Sequence, residues 1–300
     1  MPTYPLTAIN VGSFPLGEAD KVITLFSKER GVVKAVAKGA RKPGAKISGK
    51  AEVLCVNNLL LAKGKSLDII TQAESIETFS PLRTDLERLT FGLYFAELTR
   101  SFGTALEEDS EGFFQILFHF LSLLSDSQTV PALLSLEFDF LLLRILGLQP
   151  QLQVCVLCRQ PLTEYSISVF VRDIGGICCQ NCSKVHASRV AEGSRTSQEK
   201  YAFIKAGERS LSLDQKGEDY PIQGTYITPL VWKYLVLASA RSEAILEGEE
   251  EEGVESGRRN RGEETASQKG ALKAARNLME KYLEDKAGRK MKSLDLLGSL

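Results

Sequence analysis

The sequence is poor in the residues and motifs on which many enzymes depend. It has two histidines and one tryptophan in 300 residues, and it contains no GxxxxGK[ST] motif to cradle phosphates, so no ATPase function is indicated. A zinc deaminase needs an H-x-E motif or a similar partner and an open metal position, and neither histidine offers these. His119 stands in an apolar helical segment and is expected to lie in the core. We expect a protein that is not an enzyme.

Long uninterrupted apolar runs are also missing. The first residues, MPTYPLTAINVG, include neither a basic region nor a long apolar stretch, so no secretory signal is indicated. The most apolar segment, 130–148, is interrupted by Glu137, Asp139 and Arg144, which favours a buried helix over a membrane span. Cys55 has no partner in any motif, and free thiols suit a reducing compartment. We expect a soluble, cytoplasmic protein with two or three domains.

Four of the six cysteines stand in two CxxC pairs with twenty residues between the pairs. This spacing is typical of a tetrahedral zinc site, to which each CxxC knuckle gives two sulfurs. Four protein ligands leave no position for water or substrate, so the predicted role of the Zn²⁺ is structural. The alternatives are buried apolar cysteines or a pair of disulfides, and Cys178 or His186 could replace one ligand. The predicted ligands are Cys155, Cys158, Cys179 and Cys182.

The first quarter of the chain has the pattern of β-strands. Segments 21–26 and 32–38 are short, rich in β-branched residues and separated by a turn that contains Gly31. Five strands left as an open sheet would expose two edges, so a small closed barrel of the OB-fold type is the economical arrangement. The remaining strands are predicted near 7–11, 51–62 and 67–71.

After Pro81 the apolar residues recur every three or four positions, which predicts helices. The segment 247–267 is acidic and then rich in Arg, Gly and Glu, with almost no large apolar residue. It cannot bury enough surface to offset the entropy of ordering, so we expect a disordered acidic loop there. The helices are expected at about 82–102, 111–125, 131–146, 229–246 and 272–283.

A net charge of −1 hides a basic front end. Segment 21–50 has nine basic residues and one acidic residue, Glu29. Strand parity places Lys34 and Lys38 on one face, opposite the apolar residues between them. Cations along one face, followed by a flexible basic loop, suit binding to the phosphate backbone of a nucleic acid. They do not suit recognition of a particular base sequence.

The predicted DNA-binding residues come from this basic segment. The alternative is an ordinary solvated face of a barrel. Stacking aromatics are scarce near the segment, and the nearest candidates, Phe14 and Phe26, are both expected to lie in the core. The DNA-binding set is Arg30, Lys34, Lys38, Arg41, Lys42 and Lys46.

Several motifs together resemble the RecO family of bacterial recombination mediators. The segment Phe138–Leu143, followed by Gly147–Pro150 and the first knuckle, resembles the family's F-x-x-x-L-L and G-x-x-P elements. Arg159 stands where the family often has Gly, and the acidic segment near 250 is not a recognised family feature. The other matching elements, in chain order, are Lys38-Gly39-Ala40-Arg41-Lys42, Tyr94-Phe95-Ala96-Glu97-Leu98, Gly175-Gly176-Ile177-Cys178-Cys179 and Lys292-Ser293-Leu294-Asp295-Leu296-Leu297.

The resemblance implies an α+β protein. Its N-terminal five-stranded OB-fold barrel is followed by a helical domain with an embedded four-cysteine zinc module. The expected division is an OB-fold nucleic-acid-binding domain at 1–79, the first part of the helical domain at 80–150, the zinc module at 151–190 and the second part of the helical domain at 191–300.

The resemblance also implies a function. RecO proteins bind single- and double-stranded DNA and anneal complementary strands. With RecR, they load the recombinase RecA onto DNA coated by single-strand-binding protein, whose C-terminal tail docks on the helical domain. Some members lack the cysteines, which implies that the metal is not required for activity. A non-enzymatic, nucleoid-associated role follows from the resemblance. The alternatives are a zinc-stabilised interaction scaffold without DNA binding and an RNA-binding factor.

Overall fold

A closed β-barrel forms the N-terminal part of the protein. The computed structural model describes residues 2–184, 224–247 and 265–293. The strands close in the order β1-β2-β3-β5-β4, with β3 and β5 parallel and the other neighbours antiparallel. This five-stranded barrel is OB-fold-like, which confirms the predicted fold class. The strands are β1 (Thr3–Leu16), β2 (Asp20–Ser27), β3 (Gly31–Ala37), β4 (Val56–Ala62) and β5 (Asp68–Glu77).

Alternate positions of every strand fill the barrel interior. Leu25 and Leu61 are fully buried there, and Ala40 and Ala51 join them from the connection after β3. Burying each large aliphatic side chain contributes about 1.5–3 kcal/mol, so this cluster accounts for much of the barrel's stability. The other buried members are Leu6, Ala8, Ile23, Ala35, Ala37, Leu59 and Ile70.

Three predicted strands had wrong boundaries. β5 extends to Glu77 and does not end near residue 71, because β4 pairs with it along almost its whole length. β1 is longer than predicted because its first half pairs with β4 and its second half with β2. β4 begins at Val56 and not near residue 51, because Gly49–Ala51 form a 3₁₀ turn. Leu54 then adopts a left-handed conformation, with φ of 72°, that no strand accommodates.

The described chain after the barrel is mainly helical. A 3₁₀ turn at Ser80–Thr84 and an Asp85 cap, which accepts from the Arg88 backbone N–H, delay the first helix to Leu86. In the described ranges no helix is both long and apolar enough to cross a bilayer. Residues 248–264 of the predicted disordered loop lie outside the described residues. The end of that prediction was wrong, because Thr265 caps a helix that begins at Ala266, six residues before the predicted start. The helices are α1 (Leu86–Ser101), α2 (Ser110–Ser125), α3 (Pro131–Ile145), α4 (Pro229–Glu247) and α5 (Ala266–Ala287).

The expectation that His119 lies in the core was wrong. Its side chain is exposed on α2, in line with the exposed residues Gln115 and Ser122. Positions i, i+4 and i+7 share one helix face, so this narrow polar stripe was present in an otherwise apolar segment.

The described chain divides into two compact units. Among the described residues, unit 1 comprises 2–135 and 289–293, and unit 2 comprises 136–184, 224–247 and 265–288. The expected four-part division stays a prediction. In unit 1, α2 packs on the outside of the barrel, where the rings of Phe26 and Phe113 meet edge to face with centroids 5.3 Å apart.

Two of the family-like motifs meet in unit 1, although they are far apart in sequence. Glu97 of α1 is buried, and its Oε2 accepts from the Ser293 backbone N–H at 2.8 Å and also from the Ser293 hydroxyl. Burial, the largest influence, raises the pKa of Glu97, but the hydrogen bonds from Ser293 and Lys292 and the charge of Arg100 together lower it. Hydrogen bonds between Glu97 and Ser293 therefore connect the Tyr94–Leu98 element to the start of the element at Lys292.

Replacing Glu97→Gln should destabilise the protein by about 2 kcal/mol at neutral pH, because a charged acceptor of several hydrogen bonds is lost. A carboxylate with a lowered folded pKa stabilises the folded state above its unfolded pKa, and this contribution is lost as the pH falls through the folded pKa. The stability difference from wild type should therefore be largest near pH 7 and shrink in acid. Denaturant unfolding at several pH values measures it. The exposed Glu74→Gln is the control, and a pH-independent difference would contradict the assignment.

In unit 2 a small sheet and two helices hold the segment that enters the cysteine region. The sheet order is β7-β6-β8. Leu148 O accepts from the Tyr282 hydroxyl of α5, and Leu152 O accepts from the Trp232 indole N–H of α4, both at 2.9 Å. These bonds fix the chain immediately before the first CxxC knuckle. The strands are β6 (Ile167–Val171), β7 (Gly176–Cys179) and β8 (Thr225–Tyr226).

Candidate nucleic-acid interface and metal centre

The basic residues of segment 21–50 fall into two groups. Some side chains form ion pairs or hydrogen bonds within the part of the chain that the structure describes, and others do not. Lys21 pairs with Glu52 at 2.8 Å, Lys28 pairs with Glu111 at 3.2 Å, and Lys50 donates to a backbone carbonyl. The six predicted DNA-binding residues are all exposed. The side chains of four of the six form no hydrogen bond or ion pair with any described residue: Lys34, Lys38, Lys42 and Lys46.

Lys34 and Lys38 lie on the outer surface of the barrel. Lys34 is opposite Thr24 of β2, and Lys38 follows the last residue of β3. Ala35 and Ala37 point into the barrel interior. Two lysines of this strand are thus directed to solvent, and their role in DNA binding stays a prediction.

The connection after β3 is a structured loop. Gly39 has φ of 70°, which favours glycine, and its N–H donates to Asp20 Oδ1 at 2.7 Å. Ala40 is buried at one end of the barrel, where only a small side chain belongs. Arg41 donates from its guanidinium to Gly17 O at 2.7 Å, and its backbone N–H bonds Ala19 O. This explains the Lys38–Lys42 element: it ties the loop to the β1–β2 turn and presents Lys38, Lys42 and Lys46.

Arg30 lies apart from the other five residues. It occupies the β2–β3 turn, and β3 separates it from the basic loop by about 20 Å of strand. Its guanidinium lies 4.4 Å from the centroid of the Tyr4 ring. Burial, and then the bond from the Tyr4 hydroxyl to Asp68, raise the pKa of Tyr4 to about 12. The same bond and the Gly64 N–H lower the pKa of Asp68, so Arg30 belongs to a local polar cluster.

Sequence reasoning missed several groups near this surface. Phe26 is buried as expected, but Phe14 is 50% exposed, so the expectation for Phe14 was wrong. Arg100 of α1 reaches the barrel and donates to Val11 O at 3.3 Å, and no local motif signals that placement.

Lys63 and Lys65 are exposed in the β4–β5 turn, one of the loops with which OB-folds bind oligonucleotides. The Lys63-Gly64-Lys65 pattern could have indicated them.

The two CxxC pairs come together in unit 2. The four sulfurs of Cys155, Cys158, Cys179 and Cys182 all lie within 4.8 Å of one another, and the Sγ atoms of Cys158 and Cys179 are 3.8 Å apart. All six cysteines of the chain are free, which rules out the alternative of two disulfides in this structure. Sulfurs held 2.3 Å from a tetrahedral centre would be about 3.8 Å apart, so the cluster fits a metal ion.

The backbone around Cys155 favours its thiolate form. Burial, the largest influence, raises the pKa of Cys155, but N–H groups of Cys158, Cys179 and Leu157 outweigh it and lower the pKa to about 6. The Cys179 N–H lies 3.3 Å from this sulfur. Because thiolates are the metal-binding form, this donor set suits a soft or borderline cation.

Of the two proposed substitutes, Cys178 does not belong to the described sulfur set. Cys178 alternates with Cys179 along β7, is fully buried, and donates to the Cys179 carbonyl at 3.5 Å. Burial raises the pKa of its thiol to about 12, so it stays protonated at neutral pH. His186 lies outside the described residues.

Arg159 shows why glycine suits the position after the first knuckle. Its φ is 62°, in the left-handed region, and its N–H donates back to Cys155 O at 3.0 Å. A residue with a Cβ is strained there by about 1–2 kcal/mol, whereas glycine is not. The first CxxC knuckle thus keeps its shape, but the strained backbone of Arg159 lowers the stability of the folded protein.

Replacing Arg159→Gly should therefore stabilise the folded protein. After subtracting the extra entropy of an unfolded glycine, we expect a gain of about 0.5–1 kcal/mol. Thermal melting measures it, with Arg159→Ala as the matched control that removes the charge but keeps the Cβ. An equal gain in both variants would show that the charge matters and the backbone conformation does not.

Comparisons with known proteins match both parts of the chain. The family model of the recombination protein O N-terminal domain matches residues 1–79, and that of the recombination protein O C-terminal domain matches residues 83–199. The first match spans the whole barrel, and the second includes all four clustered cysteines.

Individual relatives agree with the family models. The DNA repair protein RecO of Desulforamulus reducens is 36% identical over 195 residues, which cover 65% of this chain and 74% of the relative. That of Gloeobacter violaceus is 36% identical over 60% of this chain and 69% of the relative. That of a Cyanothece species is 39% identical over 54% of this chain and 55% of the relative. The chain therefore belongs to the RecO family of DNA repair proteins.

Proposed function

We propose that this protein is a mediator of DNA repair and homologous recombination. It binds single- and double-stranded DNA, anneals complementary strands, and helps to load a recombinase onto DNA coated by single-strand-binding protein. The observation that carries the proposal is the set of four exposed lysines without partners among the described residues, on β3 and the following loop of an OB-fold-like barrel. Cations of this kind bind phosphates whatever the base sequence.

Annealing follows from electrostatics and needs no hydrolysis. Two complementary strands repel each other as polyanions, and a cationic surface that neutralises phosphates on both lowers the barrier to pairing. Lys34, Lys38, Lys42 and Lys46 supply that charge, while Arg41 holds the loop on which the last three of them lie. Arg30 would contact DNA only at the other end of β3. We therefore assign the protein no enzymatic activity.

We assign a structural Zn²⁺ to Cys155, Cys158, Cys179 and Cys182. The four cysteine sulfurs would fill all four coordination positions of the ion. The ion would therefore only cross-link the two knuckles and would supply no further chemistry. The Cys179 N–H and the other backbone donors hold the Cys155 thiolate in place. The metal braces unit 2, and DNA binding rests on the barrel of unit 1.

The proposed partners follow from the family. They are RecR and the C-terminal tail of single-strand-binding protein, in addition to the DNA itself. Because the substrate would be chromosomal DNA, we place the activity in the cytoplasm at the nucleoid. We propose that residues 1–79 form the nucleic-acid-binding domain and residues 151–190 the zinc module. The two parts of the helical domain are 80–150 and 191–300.

Annealing of complementary strands coated by single-strand-binding protein, without nucleotide, tests the proposal. Purified protein should accelerate duplex formation, and a fluorescence-quenching strand pair reports the rate. Parallel assays with RNA strands separate the DNA reading from an RNA-binding factor. A protein that binds neither nucleic acid at low salt, yet captures an acidic protein partner, would instead be a zinc-stabilised scaffold.

A further inference from the structure

A β-bulge redirects the second half of β1. Pairing with β2 runs from Asn10 opposite Leu25 to Gly12 opposite Thr24, so Val11 is the extra residue. Before the bulge, Leu6 and Ala8 point into the barrel interior. After it, Gly12 and Phe14 share a face with Thr24 and its β3 partner, Lys34, on the outside. A regular strand would have placed Phe14 in the core.

The redirected residues form an exposed apolar strip. Phe14 is opposite Val22, which is opposite Val36, so these three side chains form one row across β1, β2 and β3. Val22 and Val36 are buried, but Phe14 is 50% exposed and Leu16, two residues further along, is 41% exposed. Neighbouring strands lie about 4.8 Å apart, so the Phe14 and Val36 backbones are about 10 Å apart.

Cations border this strip. Lys34 lies two residues before Val36 on the same face of β3, and Lys38 follows the end of the strand; neither side chain has a partner among the described residues. The Arg100 guanidinium covers Gly12, where a Cβ would lie 2.5 Å from its Nη1. Arg100 donates to Val11 O and pairs with Glu97 at 3.9 Å, but its side chain is 38% exposed and so remains accessible to an anion. The strip and its borders are named the Phe14 face: Gly12, Phe14, Leu16, Lys34, Val36, Lys38 and Arg100.

We propose that the Phe14 face holds a single strand of nucleic acid by stacking an unpaired base on the Phe14 ring. The inference rests on the proposed function and adds to it a preference for single strands. An exposed aromatic ring bordered by Arg100 and two lysines whose side chains have no described partner matches a polymer of flat bases and phosphates. In a duplex the base faces are already stacked, so duplex DNA can use the lysines and Arg100 but not the ring. Stacking would not depend on base identity, because every base has a π face.

The test measures the dissociation constants of Phe14→Leu, which keeps apolar bulk but removes the ring, and of Phe14→Tyr, which keeps the ring. The probes are labelled oligo-dT, an oligomer of the same length built from abasic sugar-phosphate units, and a duplex. Phe14→Leu should weaken oligo-dT binding about 5- to 160-fold, the effect of one base–aromatic stack. It should leave the abasic oligomer and the duplex within about two-fold, and Phe14→Tyr should bind like wild type.

Ile76→Ala is the matched control, because Ile76 is also an exposed apolar residue, at 49%, but lies on β5. An unchanged oligo-dT constant in Phe14→Leu would overturn the proposal, as would an equal loss for all three probes. A wild-type protein that binds no DNA at all would instead refute the proposed function. Preferential binding of oligo-dT over the abasic oligomer by wild type, lost in Phe14→Leu, is the supporting result.

Discussion

Charge reversal of Lys34 and Lys38 together, to Glu, should weaken binding of a single-stranded oligonucleotide on the order of 30-fold at low salt. Each phosphate contact on a single strand contributes about 0.7 to the slope of log affinity against log salt, so two lost contacts should reduce that slope by about 1.4. Both lysines are exposed and have no partner among the described residues, so the variant disturbs no described ion pair. Fluorescence anisotropy over a salt series gives both values.

Two matched variants make this result specific. Lys273→Glu makes the same charge change at an exposed position of α5 and should leave the affinity nearly unchanged. Glu18→Lys, in the exposed β1–β2 turn, should strengthen binding because it adds a cation beside the basic loop. Arg41→Glu is a poorer test, since Arg41 also holds the loop through Gly17 O. An unchanged affinity in the double variant would show that the chosen surface is wrong.

Removal of one cysteine ligand should have the largest effect on stability. A structural zinc site contributes on the order of 10 kcal/mol, so Cys155→Ser or Cys179→Ser should lose most of the bound metal and lower the melting temperature markedly. DNA affinity of the folded fraction should stay near that of wild type, because the cluster lies in unit 2 and the lysines in unit 1. Elemental analysis, thermal melting and anisotropy on the same samples measure the three quantities.

Cys178→Ala separates loss of metal from loss of a buried thiol. Cys178 is as buried as Cys155 but lies outside the clustered set, so this variant should keep its metal and lose little stability. If Cys155→Ser abolished DNA binding while its folding was unchanged, the metal would belong to the binding surface and not to the scaffold.

The sequence predicted those features that depend on periodicity and spacing. The alternation in 21–38 indicated two barrel strands, and the two CxxC pairs indicated a cluster that the structure brings together. The family-like motifs have physical causes that the structure shows, but these differ in range. The left-handed Gly39 is a local cause, whereas the bond between Glu97 and Ser293 joins two motifs that are 196 residues apart.

Other features could not be read from the sequence because tertiary contacts determine them. The bulge at Val11 reverses the direction of Phe14, and no residue type at that point announces it. The left-handed Leu54 shortens β4, although leucine disfavours that conformation. Arg100 reaches the barrel only because α1 packs there.

The salt dependence of oligonucleotide binding by the wild-type protein tests the central claim most directly. If three to five lysines contact phosphates, a plot of log dissociation constant against log salt should be linear with a slope of about 2–3.5. Tight binding at low salt that weakens along such a line is the expected result. No binding in dilute buffer, or binding that does not change with salt, would contradict the claim that the cations of β3 and the loop after it hold DNA by its phosphates.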